Sequence, residues 1–217
     1  TPHRPRRSMP RMSLRNRLCD AIAAVDPDAG PSDDQTAAIL AAADAMIAAA
    51  PPLNLTTEAS KEALAGLWKT AFTTHGIERG YATLQRMSWG HAKDTPVRSS
   101  TVHQFLDPWR GKYLNIVNFQ ISDTPYRGLH YARADVALKP EQPDTFFVTF
   151  RHFAFKPASD TPVSAFHELV AGADGALDWS TPPDAPTFPS PCAYLDASTR
   201  FMRGSDGHFY VLEKVSA

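Results

Sequence analysis

The 217-residue sequence has two cysteines, Cys19 and Cys192. They lie far apart, and neither belongs to a CxxC pair. The chain therefore reads as neither a disulfide scaffold nor a cysteine-ligated zinc site. No run of about 18 apolar residues occurs, so no helix is expected to cross a bilayer. G-x-S-x-G, P-loop and dinucleotide fingerprints are absent. His167-Glu168 lacks the second histidine, four residues on, that a zincin needs. His91, His103, His130 and His152 are scattered without ligand spacing, so no metal set is assigned. Nucleophilic catalysis has no support, and the chain reads as a non-enzyme. The net charge of −1 gives no global field for nucleic acid.

Acidic residues are missing from the start of the chain. Arg4, Arg6, Arg7, Arg11, Arg15 and Arg17 all precede the first acid, Asp20. The remaining 16 basic residues face all 23 acids, so residues 18–217 carry −7. Residues 1–12 are thus a basic arm on an acidic body. Pro2, Pro5 and Pro10 oppose helix there. The arm reads either as a solvated tail or as an organelle-targeting composition, rich in arginine and free of acids.

A helical segment follows over residues 13–62. In SLRNRLCDAIAAV, Leu14, Leu18, Ile22 and Val25 make one stripe. Pro, Gly and Asp break it before DQTAAILAAADAMIAAA, an alanine-rich helix with Ser32 or Asp33 as N-cap. Pro51-Pro52 ends that helix. A short third helix is expected in TEASKEALAGL, capped by Thr56 or Thr57.

From residue 63 to 217 the period changes from helical to alternating. LWKTAFTT, GKYLNIVNFQIS, TFFVTFRHFAF and HFYVLEKV read as strands, with weaker ones in TVHQFLD and HYARADVALK. CAYLDASTRFMRGSDGHFYVLEK (192–214), which takes in HFYVLEK, reads as two short strands around a tight turn. STPPDAPTFPSP (180–191) reads as a proline-rich loop. The fold class is α+β: N-terminal helices, then an antiparallel sheet, open or closed into a barrel.

The strands are aromatic beyond the needs of one small sheet. Phe119, Phe146, Phe147, Phe150, Phe153 and Phe155 line either a large core or a pocket for an apolar molecule. Gln104, Asn115, Asn118, Phe119, Phe150, Arg151 and His152 are the candidate pocket residues, with Arg133 a further polar anchor. His152, within an aromatic strand, reads as a hydrogen-bonded wall residue or as a ligand to a porphyrin or chlorophyll metal.

YLDASTRFMRGSDGHFYVLEK resembles the C-terminal signature of the plastid lipid-associated protein (PAP)/fibrillin family. Tyr194, Leu195, Asp196, Arg200, Arg203, Gly204, Gly207, Tyr210, Val211 and Leu212 carry the likeness. LAGLWKTAFTT is similar to a second family segment through Leu64, Gly66, Trp68 and Thr73, and VHQFLD with LNIVNF to a third. His208 and Phe209 depart from the pattern, and residues 160–190 align poorly. The resemblance implies a lipocalin-like β-barrel. It also implies barrel closure by Gly66, Trp68, Asp196, Arg200 and Arg203. Trp68 would close the narrow end under Arg203 or Arg200, with Asp196 paired to the other arginine.

The resemblance further implies a plastid (chloroplast) protein peripheral to the thylakoid membrane, binding a lipid, quinone or carotenoid. Chlorophyll is a fourth candidate ligand. The alternative is a non-catalytic adaptor subunit of a photosynthetic membrane complex, a photosystem among the candidates, docked through the basic arm.

Overall fold

The computed structural model describes residues 11–26, 30–74, 82–204 and 207–215, with the side chains of residues 11–13 excepted. The expected basic arm lies outside these residues, except for the backbone of Arg11 and Met12. The chain divides into two compact units, Thr1–Pro52 and Leu53–Ala217.

The first unit holds α1 (Arg11–Ala23) and α2 (Asp33–Ala48). Leu14 and Leu18 are buried on α1, and Ile39, Ala43 and Met46 on α2. Ser32 and Gln35 form a reciprocal capping box: the Gln35 amide donates to Ser32 Oγ (3.2 Å), and the Ser32 amide to Gln35 Oε1 (2.9 Å). Gln35 Nε2 also donates to the Ala24 carbonyl at 2.9 Å, tying the start of α2 to the end of α1.

The second unit begins with α3 (Glu58–Leu64), capped by the Thr57 hydroxyl accepting from the Ser60 amide at 3.2 Å. Nine strands follow: β1 (Gly66–Thr73), β2 (Val97–Asp107), β3 (Lys112–Ile121), β4 (Arg127–Lys139), β5 (Gln142–Pro157), β6 (Asp178–Ser180), β7 (Thr187–Leu195), β8 (Thr199–Arg203) and β9 (Phe209–Lys214). Among the described residues two short helices interrupt them, α4 (Leu84–Met87) and α5 (Val163–Val170).

Every ladder is antiparallel. The pairings run β1-β2-β3-β4-β5-β7-β8-β9 and return from β9 to β1, so eight strands form a ring, while β6 lies on the far half of β5. Register shifts at Thr70/Phe72, Ser99/Thr101, Arg133/Ala134 and Cys192/Tyr194 mark bulges. Bulges add the local bend and twist that closure needs. The fold is thus α+β and barrel-like.

Residues 187–191, expected as loop, form the first half of β7. There β7 pairs only with β5, and its pairing with β8 starts at Cys192. One edge is therefore free of a ladder, where Pro189 and Pro191 are tolerated.

Alternate residues of each strand build the interior in two clusters. Trp68, Leu106, Tyr113, Phe146, Val148 and Leu212 belong to the first. Val102, Val117, Phe119, Phe155 and, from α5, Phe166 belong to the second. Gly128 makes room for the second. A Cβ there would lie 2.5 Å from Phe166 Cε2 and 2.8 Å from Phe119 Cζ. The glycine therefore lets α5 seat its fully buried phenylalanine against β4.

Candidate functional site

At the end of the ring nearest α3, the closure is built from β1, β8 and β9. Trp68 and Arg200 are both fully buried. The guanidinium of Arg200 lies 4.9 Å from the Trp68 ring centroid and 5.8 Å from that of Phe146. Arg203, one face over on β8, lies instead above Phe209 at 5.5 Å. The Trp68 indole N–H donates to the Leu64 carbonyl at 2.8 Å. Lys214 Nζ lies 5.3 Å from the same ring and donates to the Ala63 carbonyl at 2.9 Å. Lysine at a helix C-terminus satisfies free carbonyls and favours the dipole. β9 is thereby locked to α3. Gly66 has φ +113, and a Cβ on it would meet Lys214 Cε at 3.2 Å.

Among the described residues Asp196 is not paired with an arginine. Its carboxylate accepts from the Ser198 amide (2.8 Å), the Thr199 amide (2.7 Å), the Ser198 hydroxyl (3.1 Å) and the Tyr194 hydroxyl (2.8 Å). Burial pushes its pKa up, but these donors outweigh burial and hold it below the usual range. Asp196 is thus the clamp of the β7–β8 turn, because an aspartate at a turn start captures the amides two and three residues on.

Arg200 donates from Nη2 to Gln104 Oε1. Its Nε and Nη1 have no protein partner among the described residues, nor do the buried Thr70 Oγ1 and Asn115 Oδ1. Register places these groups on one belt. Gln104 is opposite Trp68 on β1 and Asn115 on β3, while Leu212 is opposite both Thr70 and Arg200. Burial draws the Arg200 pKa down to about 10, so it stays a cation at neutral pH. The neighbouring Cys192 thiol is pushed up by burial to about 12 and stays neutral.

Toward the opposite end, β5 turns aromatic. Trp89, between α4 and β2, has φ +54 and is 50% exposed. Its ring centroid lies 5.3 Å from that of Phe150, 4.8 Å from Phe153 and 5.8 Å from Phe188. Phe150 in turn meets Tyr113 at 6.2 Å. Nothing in the periodicity of the segment around Trp89 marks it, since it lies between elements. His130 is buried between Phe153 (5.9 Å) and Phe155 (4.8 Å), and neither ring nitrogen has a partner among the described residues.

The candidate pocket residues divide between two faces. Gln104, Asn115, Phe119 and Phe150 lie on the interior side. Asn118 lies outside and donates to Thr101 Oγ1 at 2.8 Å. Arg151 bonds Asp135 (2.9 Å) and the Pro183 carbonyl (3.0 Å). His152 is half-buried beside the β5 register shift, and its Nδ1 has no partner among the described residues. A separate outer groove of about 630 Å³ is lined by Arg98, His103, Asn118, Gln120, Arg127 and Asp160. Arg127 there is ion-paired to Asp160.

Among the described residues there is no group of three or more histidines, cysteines or carboxylates that could hold a metal, and no helix long and apolar enough to cross a membrane. No curated protein matches the chain. The PAP_fibrillin family model matches residues 12–213, which includes the closing pair of Trp68 and Arg200 and all nine strands but for the last residue of β9. Over nearly its whole length, then, the chain belongs to the PAP/fibrillin family.

Proposed function

We propose that this protein is a non-catalytic carrier of a hydrophobic small molecule, a lipid, quinone or carotenoid, in a plastid at the thylakoid surface. The observation that carries the reading is the aromatic mouth. Trp89 sits on Phe150, Phe153 and Phe188 at the edge of an apolar ring of strands. A non-glycine residue at φ +54 is held in a sparsely populated conformation. Its release and the exposure of half its surface make Trp89 the side chain that moves aside for an entering chain. Burying hydrocarbon would supply the affinity, about 25 cal/mol per Å² removed from water. The plastid and thylakoid assignments draw on family membership.

Organic extraction of natively purified protein, with mass spectrometry of the extract, tests the reading directly. Stoichiometric co-purified lipid, quinone or carotenoid is expected. Trp89→Ala should speed exchange of a fluorescent lipid. Empty extracts together with no fluorescent-lipid binding would overturn it.

A second reading, an adaptor subunit of a photosynthetic complex, draws on the outer groove, where Arg98, His103 and Arg127 offer polar recognition on the barrel wall. Under it, removing residues 1–12 releases the protein from thylakoid membranes while leaving its thermal unfolding unchanged. Unaltered co-sedimentation would exclude docking through the arm.

A further inference from the structure

We propose that the buried belt around Arg200 is the head-group site of the barrel, and that it selects a carboxylate: the ligand is a single-chain amphiphilic acid. The inference rests on the carrier reading above and names its ligand class.

A guanidinium has five N–H donors and no acceptor. Arg200 is 0% exposed, and only Gln104 accepts from it among the described residues. The rings of Trp68 and Phe146 take up part of its charge, but neither supplies an acceptor for Nε or Nη1. Arg200 takes part in none of the ion pairs found among the described residues. The ionisable side chains that act on it include Cys192 and Tyr113, a thiol and a phenol that are ordinarily neutral at pH 7, and Lys214, a second cation over the same indole. A buried, uncompensated cation is costly, and compensation needs both an opposite charge and hydrogen bonds.

A carboxylate supplies both at once. One of its oxygens accepts from Nε or from Nη1 in a short, charge-assisted bond; these two donors point to different sides of the guanidinium, so a single carboxylate engages one of them. The Thr70 hydroxyl, buried without a partner on the same belt, adds a donor. An ester or alcohol head accepts hydrogen bonds but leaves the positive charge unmatched. The tail would run along one face of β5 by parting the side chains that pack there. Phe146, beside Arg200, is followed by Val148 and Phe150, and Phe150 meets Trp89. Four residues of strand carry this face about 14 Å from head site to mouth. The head is therefore deep and the tail directed outward, past the aromatic collar.

The test compares palmitic acid with methyl palmitate and hexadecanol on the full chain, by titration calorimetry and tryptophan quenching at pH 7.5. The acid is expected to bind at least tenfold more tightly than either neutral analogue, and Arg200→Met should abolish that preference while sparing methyl palmitate. Because that variant removes a closing residue, an independent readout uses the unmodified protein with carboxyl-13C palmitate. The bound carboxyl resonance is expected to stay at its ionised position from pH 8 down to pH 5. Equal affinities for acid and ester, or a bound carboxyl that protonates within that interval, overturn the acid-head site and leave the carrier reading standing. Binding of none of the three molecules also overturns the acid-head site, while the carrier reading is decided separately by the extraction and fluorescent-lipid test above.

Discussion

The guanidinium of Arg200, on β8, lies 4.9 Å from the Trp68 ring on β1, with β9 running between them. The contact therefore bridges the seam where the last strands meet the first. A desolvated cation over an indole contributes about 2 kcal/mol. Trp68→Phe keeps a ring but loses quadrupole strength and the N–H bond to Leu64, so it should lower stability by about 1–3 kcal/mol. In a double-mutant cycle with Arg200→Met, denaturant unfolding should show a coupling of about 1–2 kcal/mol. Additive single-site effects would mean that the stacked pair does not hold the seam.

Gly128 exists for Phe166. Placing a Cβ 2.5 Å from the Phe166 ring forces that ring, and α5 with it, out of its seat. Overpacking of this kind costs about 1–3 kcal/mol. Gly128→Ala should therefore destabilise the protein, while Gly128→Ala with Phe166→Leu should recover part of the loss, the 2.8 Å approach to Phe119 remaining. If the double variant is no more stable than Gly128→Ala, the clash with Phe166 is not what the glycine relieves.

Asp196 holds its turn through four hydrogen bonds rather than an ion pair. Asp196→Ala orphans the Ser198 and Thr199 amides and should cost about 1–3 kcal/mol, toward the low end because the group is partly solvated. Its carboxyl is depressed below the ordinary value of 3.8. Its contribution is thus complete above that value and lost as pH falls through the lower folded value. Thermal unfolding across pH 2–6 should show Asp196→Asn with a shallower acid limb than the parent.

Much of this architecture was legible in the sequence. Alternation in LNIVNF and TFFVTF fixed strands, and Ser32 and Thr57 announced their helices. The closing arginine was not decidable between Arg200 and Arg203. They stand three residues apart on a strand, hence on opposite faces, and only register with Trp68 separates them. The same parity divides Asn118 from Phe119, adjacent residues that cannot share one wall. Trp89 and α5 were hidden for another reason. Trp89 lies outside any periodic element, and α5 opens on Pro162 without a side-chain cap, so no start signal precedes it. The Asp196 clamp was written in the local D-x-S-T spacing, but the nearby arginines offered a competing partner.

His130 should make the protein acid-sensitive. It is buried between Phe153 and Phe155 with neither ring nitrogen bonded among the described residues, and burial draws its pKa from 6.5 down to about 4. Between those two values the unfolded chain binds a proton that the folded chain refuses. Stability is therefore full above pH 6.5 and declines as pH falls toward 4. The loss from this one residue is about 3 kcal/mol, at 1.36 kcal/mol per unit of pKa. His130→Phe replaces an unbonded polar ring by an apolar ring of similar shape, a change that leaves no orphaned group. It should be near neutral or stabilising at pH 7.5 and should flatten the decline between pH 6.5 and 4. Urea unfolding at pH 7.5, 5.5 and 4.5 measures both effects. A parent and variant whose stabilities fall in parallel over that range would show that His130 is protonated in the folded protein.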